Sequence, residues 1–163
     1  MPKNNKPKKR IGAIFNSILL VAFVACFFFL QVWEKKAPTV PLSIHDQVLY
    51  VEVADSAIKQ YTGLGQREVL GDSDGMLFVF GDVDRHGIVM RDMQFSLDII
   101  WLLNGEVVDI AAHIAPEPGV AEAQLIRYLP RKPANMVLEL PAGGAEHYAV
   151  SLGDVLGGVG NKR

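Results

Sequence analysis

The chain has one cysteine, Cys26, in 163 residues. A single thiol excludes an intramolecular disulfide and a paired-thiol metal or redox site. Cys26 also sits inside an apolar run, so the region after it has no thiol nucleophile. Paired histidines are missing too. His45, His86, His113 and His147 are scattered without ligand spacing, and no metal is expected. There is no Gly-x-Ser-x-Gly elbow, and Ser96 lacks the strand-turn-helix setting of a hydrolase serine. No phosphate loop or dinucleotide fingerprint occurs, because the Gly157-Gly158-Val159-Gly160 tail has no helix to open. No cofactor is therefore expected. Internal repeats are absent.

Charge is absent from one long stretch. Ile11 to Val32 contains no charged side chain, and its polar residues are Asn16, Ser17 and Gln31. About 20 residues at 1.5 Å rise span a bilayer core of about 30 Å as a helix. A core helix of a soluble domain would keep a polar face, and this stretch has none. Lys3, Lys6, Lys8, Lys9 and Arg10 precede it, while Glu34, Lys35 and Lys36 nearly cancel after it. The positive-inside rule keeps residues 1–10 in the cytoplasm and exports the chain beyond Val32. Trp33 suits the outer interface. The long apolar run without an Ala-x-Ala site favours a retained signal anchor at 11–32 over a cleaved signal peptide. A lipoprotein reading at Cys26 is disfavoured, because Phe27-Phe28-Phe29-Leu30 continues the apolar run.

From Asp46 onward the chain carries nine Lys or Arg against 17 Asp or Glu, a net charge of about −8. Nucleic-acid binding rests on cations that neutralise phosphates, so no nucleic-acid partner is expected. The expected partner is the membrane, through the N-terminal helix, with a small anionic ligand or an envelope protein beside it.

Residues 33–46, with Pro38 and Pro41, read as a linker, and the folded domain as 47–157, with a flexible tail at 158–163. Val48 to Val53 is rich in β-formers. Asp55 and Ser56 offer caps to a short helix from Ala57 to Thr62, closed by Gly63. Gly75 to Phe80 and His86 to Met90 read as strands. Leu97 to Leu103 is apolar on both faces apart from Asp98, which marks a central strand. Asn104-Gly105 then signals a hairpin into Glu106 to Ala111. His113 to Pro133 is a proline-rich excursion. Met136 to Leu140 returns as a strand, Ala145 to Val150 suits a short helix, and Gly153 to Leu156 a last turn and strand. This pattern predicts a mainly β fold: a β-sandwich or small barrel with one or two short helices, behind a single N-terminal transmembrane helix.

Gly63-Leu64, Arg67, Gly75 to Phe80, Val89-Met90-Arg91-Asp92, Leu97 to Trp101, Val137 to Gly143 and Gly153-Asp154 occur in that order. Their sequence resembles the motif series of the DUF192, or UPF0127, family across roughly Val51 to Leu156. The resemblance implies a jelly-roll-like β-sandwich and names no activity. Val89 stands where the family has an aromatic residue and Arg91 where it has a lysine; Gly65 and Gln66 replace its Met-Phe. An arginine favours planar, bidentate recognition of a carboxylate or phosphate.

Arg91, Asp92 and Asp98 lie close to dense hydrophobic surface, and charges there are paired or used. One reading places Arg67, Arg91, Asp92 and Asp98 around a shallow ligand site with Arg91 as anion anchor. The plainer reading has Asp98 accepting backbone hydrogen bonds, or pairing with Arg67 or Arg91. His86 reads as a solvated strand-edge residue or an acid–base group, and Met76, Met90 and Met93 as core filling. Function divides the same way. A binding or accessory module for a small anionic ligand, glycan or envelope protein leads. The alternatives are an envelope hydrolase or lyase with an Asp base and an Arg stabilising developing negative charge, and a structural partner of a membrane complex. No nucleophile–base pattern points to catalytic residues.

Overall fold

The computed structural model describes residues 19–24 and 38–158. Residues 19–24 are helical (α1) and exposed, and no helix among the described residues is long and apolar enough to cross a membrane. The rest of the 11–32 stretch, Cys26, and residues 1–10 lie outside the described residues. Residues from Ala37 onward form a compact unit of their own.

That unit is mainly β. Its strands are β1 (Thr39–Ile44), β2 (Gln47–Ala54), β3 (Gly75–Asp84), β4 (Leu97–Leu103), β5 (Glu106–Ile114) and β6 (Ala134–Pro141). Two short helices, α2 (Ala57–Thr62) and α3 (Gly144–His147), and a 3₁₀ turn at Glu122–Gln124 complete it. The strands make one mixed sheet in the order β1-β2-β3-β6-β4-β5. Among the described residues two packed sheets, as in a sandwich, do not form. Instead the single sheet curls. Leu42, Leu49 and Val51 from one end share a core cluster with Leu102 and Val107 from the other.

The C-terminal segment ties the two ends together. Gly157 exchanges both backbone hydrogen bonds with Ser43 of β1, at 2.8 and 3.1 Å, and Val155 bridges Glu106 of β5. One isolated bridge at each edge strand covers part of the unpaired backbone that an open sheet leaves exposed. Segment 153–156, read as a strand, serves through these isolated bridges.

The stretch read as a linker is also corrected. Thr39 to Ile44 is a strand, so the domain starts earlier than Gln47. Ser43 directs its backbone groups outward to Gly157, so Pro41, two residues earlier, turns its nitrogen to the same outer side. An edge strand tolerates proline there, since no ladder bond to β2 is lost.

β2 and β3 run parallel, joined through α2. The other neighbours are antiparallel. Asn104 and Gly105 both take positive φ, 53° and 93°, as a tight hairpin requires. β4 is buried over six of its seven residues, which explains its unbroken apolar run. β6 lies between β3 and β4 and is buried on both faces. Gly75 permits this arrangement: a Cβ there would lie 2.2 Å from the Glu139 carbonyl oxygen.

Side chains alternate between two clusters. Leu77, Ile100, Leu102, Met136, Leu138 and Leu140 form one cluster with Ala145, Val150 and Leu156. Met76, Phe78, Leu97, Ile99, Trp101 and Val137 face the other way, where Leu64, Ile88, Met90 and Met93 cover them. The three methionines are thus core. Segment 86–90 is not a strand. It makes one two-bond bridge, Ile88 with Tyr128, and His86 offers its carbonyl to the Trp101 indole N–H at 2.8 Å.

Candidate functional site

The second face carries a cavity of about 300 Å³ between α2, the 63–65 turn, segment 87–93 and the sheet. Its walls include Leu64, Phe78, Ile88, Met93 and Leu97. Glu139 of β6 also lines it. The β period places Glu139 on the same face as Val137, between Met76 of β3 and Ile99 of β4. Its side chain is 4% exposed. Among the described residues no hydrogen bond or ion pair reaches its carboxyl group. Burial alone pushes that carboxyl up to about 8. An unpaired carboxylate in an apolar wall is costly, so the group holds its proton at neutral pH.

Two arginines share the cavity. Arg91 donates to the Tyr61 carbonyl at 2.8 Å and to Glu122 Oε1 at 2.5 Å. Its guanidinium lies over the Tyr61 ring, 4.1 Å from the centroid, and Tyr61 donates its hydroxyl to Glu122. The hydrogen bond from Arg91 holds Glu122 below the usual carboxylate range. Arg91 Nε is buried without a partner. This cluster fastens α2 to the 115–133 excursion at the rim. Arg127, from that excursion, is exposed and lies across Gly87. Among the described residues it has no hydrogen bond or ion pair.

The residues singled out in sequence separate in space. Of Arg67, Arg91, Asp92 and Asp98, Arg91 lines the cavity and the other three do not. Arg67 grips Glu52 through two bonds, 2.6 and 2.9 Å, and this holds the Glu52 carboxyl below its ordinary value against the opposing effect of burial. Asp98 is 1% exposed. It accepts from His113 N at 2.8 Å and from Gly143 N and Ala145 N, both at 2.9 Å. Backbone hydrogen bonding is thus its role here, not pairing with Arg67 or Arg91. Asp92 is exposed at φ 54°, and its carbonyl accepts from Gln66 N at 2.8 Å, pinning the 63–67 turn. His86 stacks on Phe80 with centroids 3.8 Å apart. No group of three or more His, Cys, Asp or Glu that could hold a metal occurs among the described residues.

Glu139 was missed in sequence, although its signal was present. It is the one charge in Met136-Val137-Leu138-Glu139-Leu140, and the rule that marks Asp98 marks it equally. A further hollow of about 310 Å³ beside β5 contains Arg131. That cation is already committed to Asp109.

The molecule is thus a small, edge-bridged β domain whose cavity is lined by a buried carboxyl, raised by burial, and by a guanidinium with no partner among the described residues. The chain belongs to the DUF192 family, described as "Uncharacterized ACR", which matches residues 40–158. Two solved structures are similar. A protein of unknown function from Novosphingobium aromaticivorans is 27% identical, with a TM-score of 0.65 over 76% of this chain and 88% of that one. A candidate transcription regulator from Sinorhizobium meliloti is 29% identical, with a TM-score of 0.60 over 72% of this chain and 90% of that one. No curated protein matches significantly.

Proposed function

We propose that this domain is a small-molecule binding module, held on the outer side of a membrane by the 11–32 anchor. The observation that carries the reading is Glu139: a buried carboxyl without a partner among the described residues, lining a cavity. A carboxyl held among apolar residues with no protein partner is costly to bury, and perturbed acids in clefts mark functional sites. The apolar walls and few polar groups are those of a ligand pocket. Arg127 is the anion anchor in this reading, and Arg91, whose charge Glu122 answers, lines the wall beside it. Arg67, Asp92 and Asp98 support the loops around it. The acidic exported part gives no footing for nucleic acid, so DNA regulation is not part of the proposal.

The anchor and its orientation rest on the uncharged run and its basic N-terminal flank. Protease added outside intact spheroplasts then digests the domain. Protection until lysis would remove the extracytoplasmic placement. The binding reading is tested by protein NMR of the full-length chain in detergent against small metabolites and glycans. Ligand shifts clustering at Phe78, Leu97, Arg127 and Glu139 support it, and shifts confined to other surfaces overturn it.

Glu139 also favours a second reading, an envelope hydrolase or lyase. A carboxyl protonated near neutral pH is a competent general acid. In that case the acid is Glu139, in place of the Asp base suggested by sequence. Turnover of a bound compound, abolished by Glu139→Gln with binding retained, separates catalysis from binding.

A further inference from the structure

We infer that the cavity takes a small monoanion of defined build: a carboxylate that meets Arg127 at the mouth, an apolar body, and an oxygen that meets Glu139 at the floor. This rests on the binding reading above and adds the ligand's chemical class.

Charge selects the sign. The charged side chains lining the cavity are Arg91, Arg127 and Glu139. Glu122 already answers Arg91. Arg127 has no counter-charge among the described residues. Glu139 is neutral while it holds its proton, and Met76 and Ile99 beside it bring no charge. Tyr61 is the remaining titratable group in the wall. One positive charge is left over. A monoanion neutralises it, a dianion leaves a charge unanswered, and an ammonium ion adds to the excess positive charge.

Depth selects the arrangement. Arg127 is exposed, so a carboxylate paired there stays partly hydrated. Glu139 is enclosed, so its protonated carboxyl requires an acceptor or a hydroxyl rather than a second charge. Leu64, Phe78 and Leu97 lie in the walls and suit an aliphatic or aromatic body. A volume of about 300 Å³ is near the lower limit for ligand pockets, roughly 300–1,000 Å³, which points to a compact molecule.

The experiment titrates the full-length chain in detergent with 4-hydroxybenzoate, benzoate, 4-hydroxybenzyl alcohol and tyramine, followed by protein NMR. 4-Hydroxybenzoate is expected to bind about tenfold tighter than benzoate or the alcohol, the factor that one retained interaction of about 1.4 kcal/mol supplies. Arg127→Met, at an exposed position, erases the preference over the alcohol. Glu139→Leu erases the preference over benzoate. Glu139→Gln keeps a neutral donor, so it keeps that preference and holds it above pH 8, where the wild type loses it. Tightest binding by tyramine or the alcohol at the cavity overturns the ligand class and leaves the binding module standing. So does a carboxylate preference untouched by Arg127→Met. If no probe shifts resonances at the cavity, both readings fall.

Discussion

The Arg127 side chain runs across the bare backbone of Gly87, so closely that a Cβ on Gly87 would lie 2.3 Å from Arg127 Nε. The groove exists because residue 87 has no side chain. Gly87→Ala therefore displaces the guanidinium. The displaced group is the end of a flexible, exposed chain, so the cost is small, within about 0.5 kcal/mol. Urea midpoints should match the wild type while the Arg127 Nε–H resonance moves. A shifted midpoint with an unmoved resonance would refute this account of the groove.

Gly75 meets a less forgiving neighbour. Its absent Cβ would touch the Glu139 carbonyl oxygen at 2.2 Å and Leu140 Cδ2 at 2.8 Å. Backbone at the centre of a sheet does not yield as a surface side chain does. Gly75→Ala should cost about 1–3 kcal/mol, as overpacking does. Equilibrium unfolding checks this, and a neutral result would mean that β3 and β6 can separate at little cost.

Glu139 sets a pH dependence. Its folded value, about 8, lies above the value near 4.3 of an unfolded glutamate. Between these the native state binds more protons than the unfolded state, so stability falls as pH rises. The contribution is full below about 4.3 and lost as pH passes about 8. Glu52 and Asp109 act oppositely. The Arg67 hydrogen bond lowers Glu52; for Asp109 burial opposes ionisation, but Arg131 and backbone N–H groups still hold it low. Their stabilisation is present at neutral pH and fades in acid. Unfolding of wild type and Glu139→Gln across pH 5 to 9 isolates the first effect. The variant should gain a few kcal/mol relative to wild type toward pH 9, at about 1.4 kcal/mol for each pH unit separating the folded and unfolded values. Parallel curves would mean that the carboxyl ionises freely.

Asp98 should behave as a structural acid. Asn in its place keeps one acceptor and turns an NH₂ toward backbone donors. Asp98→Asn should destabilise by about 2–4 kcal/mol, the scale of leaving charge-assisted buried bonds unmade. The loss should appear as faster amide exchange at His113, Gly143 and Ala145, the three donors. Unchanged exchange at all three would contradict this role.

Arg67 should separate stability from binding. Arg67→Met leaves Glu52, 8% exposed, without its two-bond partner. Breaking a fully buried pair costs about 3–5 kcal/mol, and the half-exposed Arg67 reduces this to about 2. Probe affinities at the cavity should stay within about twofold of wild type, the scale of 0.4 kcal/mol. A larger loss of affinity with little loss of stability would return Arg67 to the ligand site.

The fold was legible where local chemistry and burial agreed. The β-formers from Val48, the Ala57–Thr62 helix before Gly63, the Asn104-Gly105 turn and the apolar run of β4 each carry their own signal, and each element forms. Two segments depart from their sequence pattern because their neighbours in space, rather than proline or apolar content, decide them. Pro41 suggested a linker, yet an outer edge admits it. His86 to Met90 looked like a strand, yet Trp101 and Tyr128 take up its polar groups in an irregular path.

The site was less legible. Arg91 was marked by its closeness to apolar sequence and does line the cavity. Asp98 carries the same mark and Arg67 belongs to the family's motif series, but their partners are backbone groups up to 47 residues away and Glu52, 15 residues away. No local pattern specifies such pairs.

By itself the sequence determined the strand-rich character of the domain, its acidity and its family, because alternation, turn residues and composition act over short spans. Tertiary structure decided which charges are consumed and which remain. Strand order sets β6 between β3 and β4, which encloses Glu139 with no partner among the described residues. The excursion brings Arg127 across Gly87 to the same cavity. Both outcomes depend on contacts between distant segments, where a carboxyl's partner, and hence its charge, is settled by packing rather than by its neighbours in the chain.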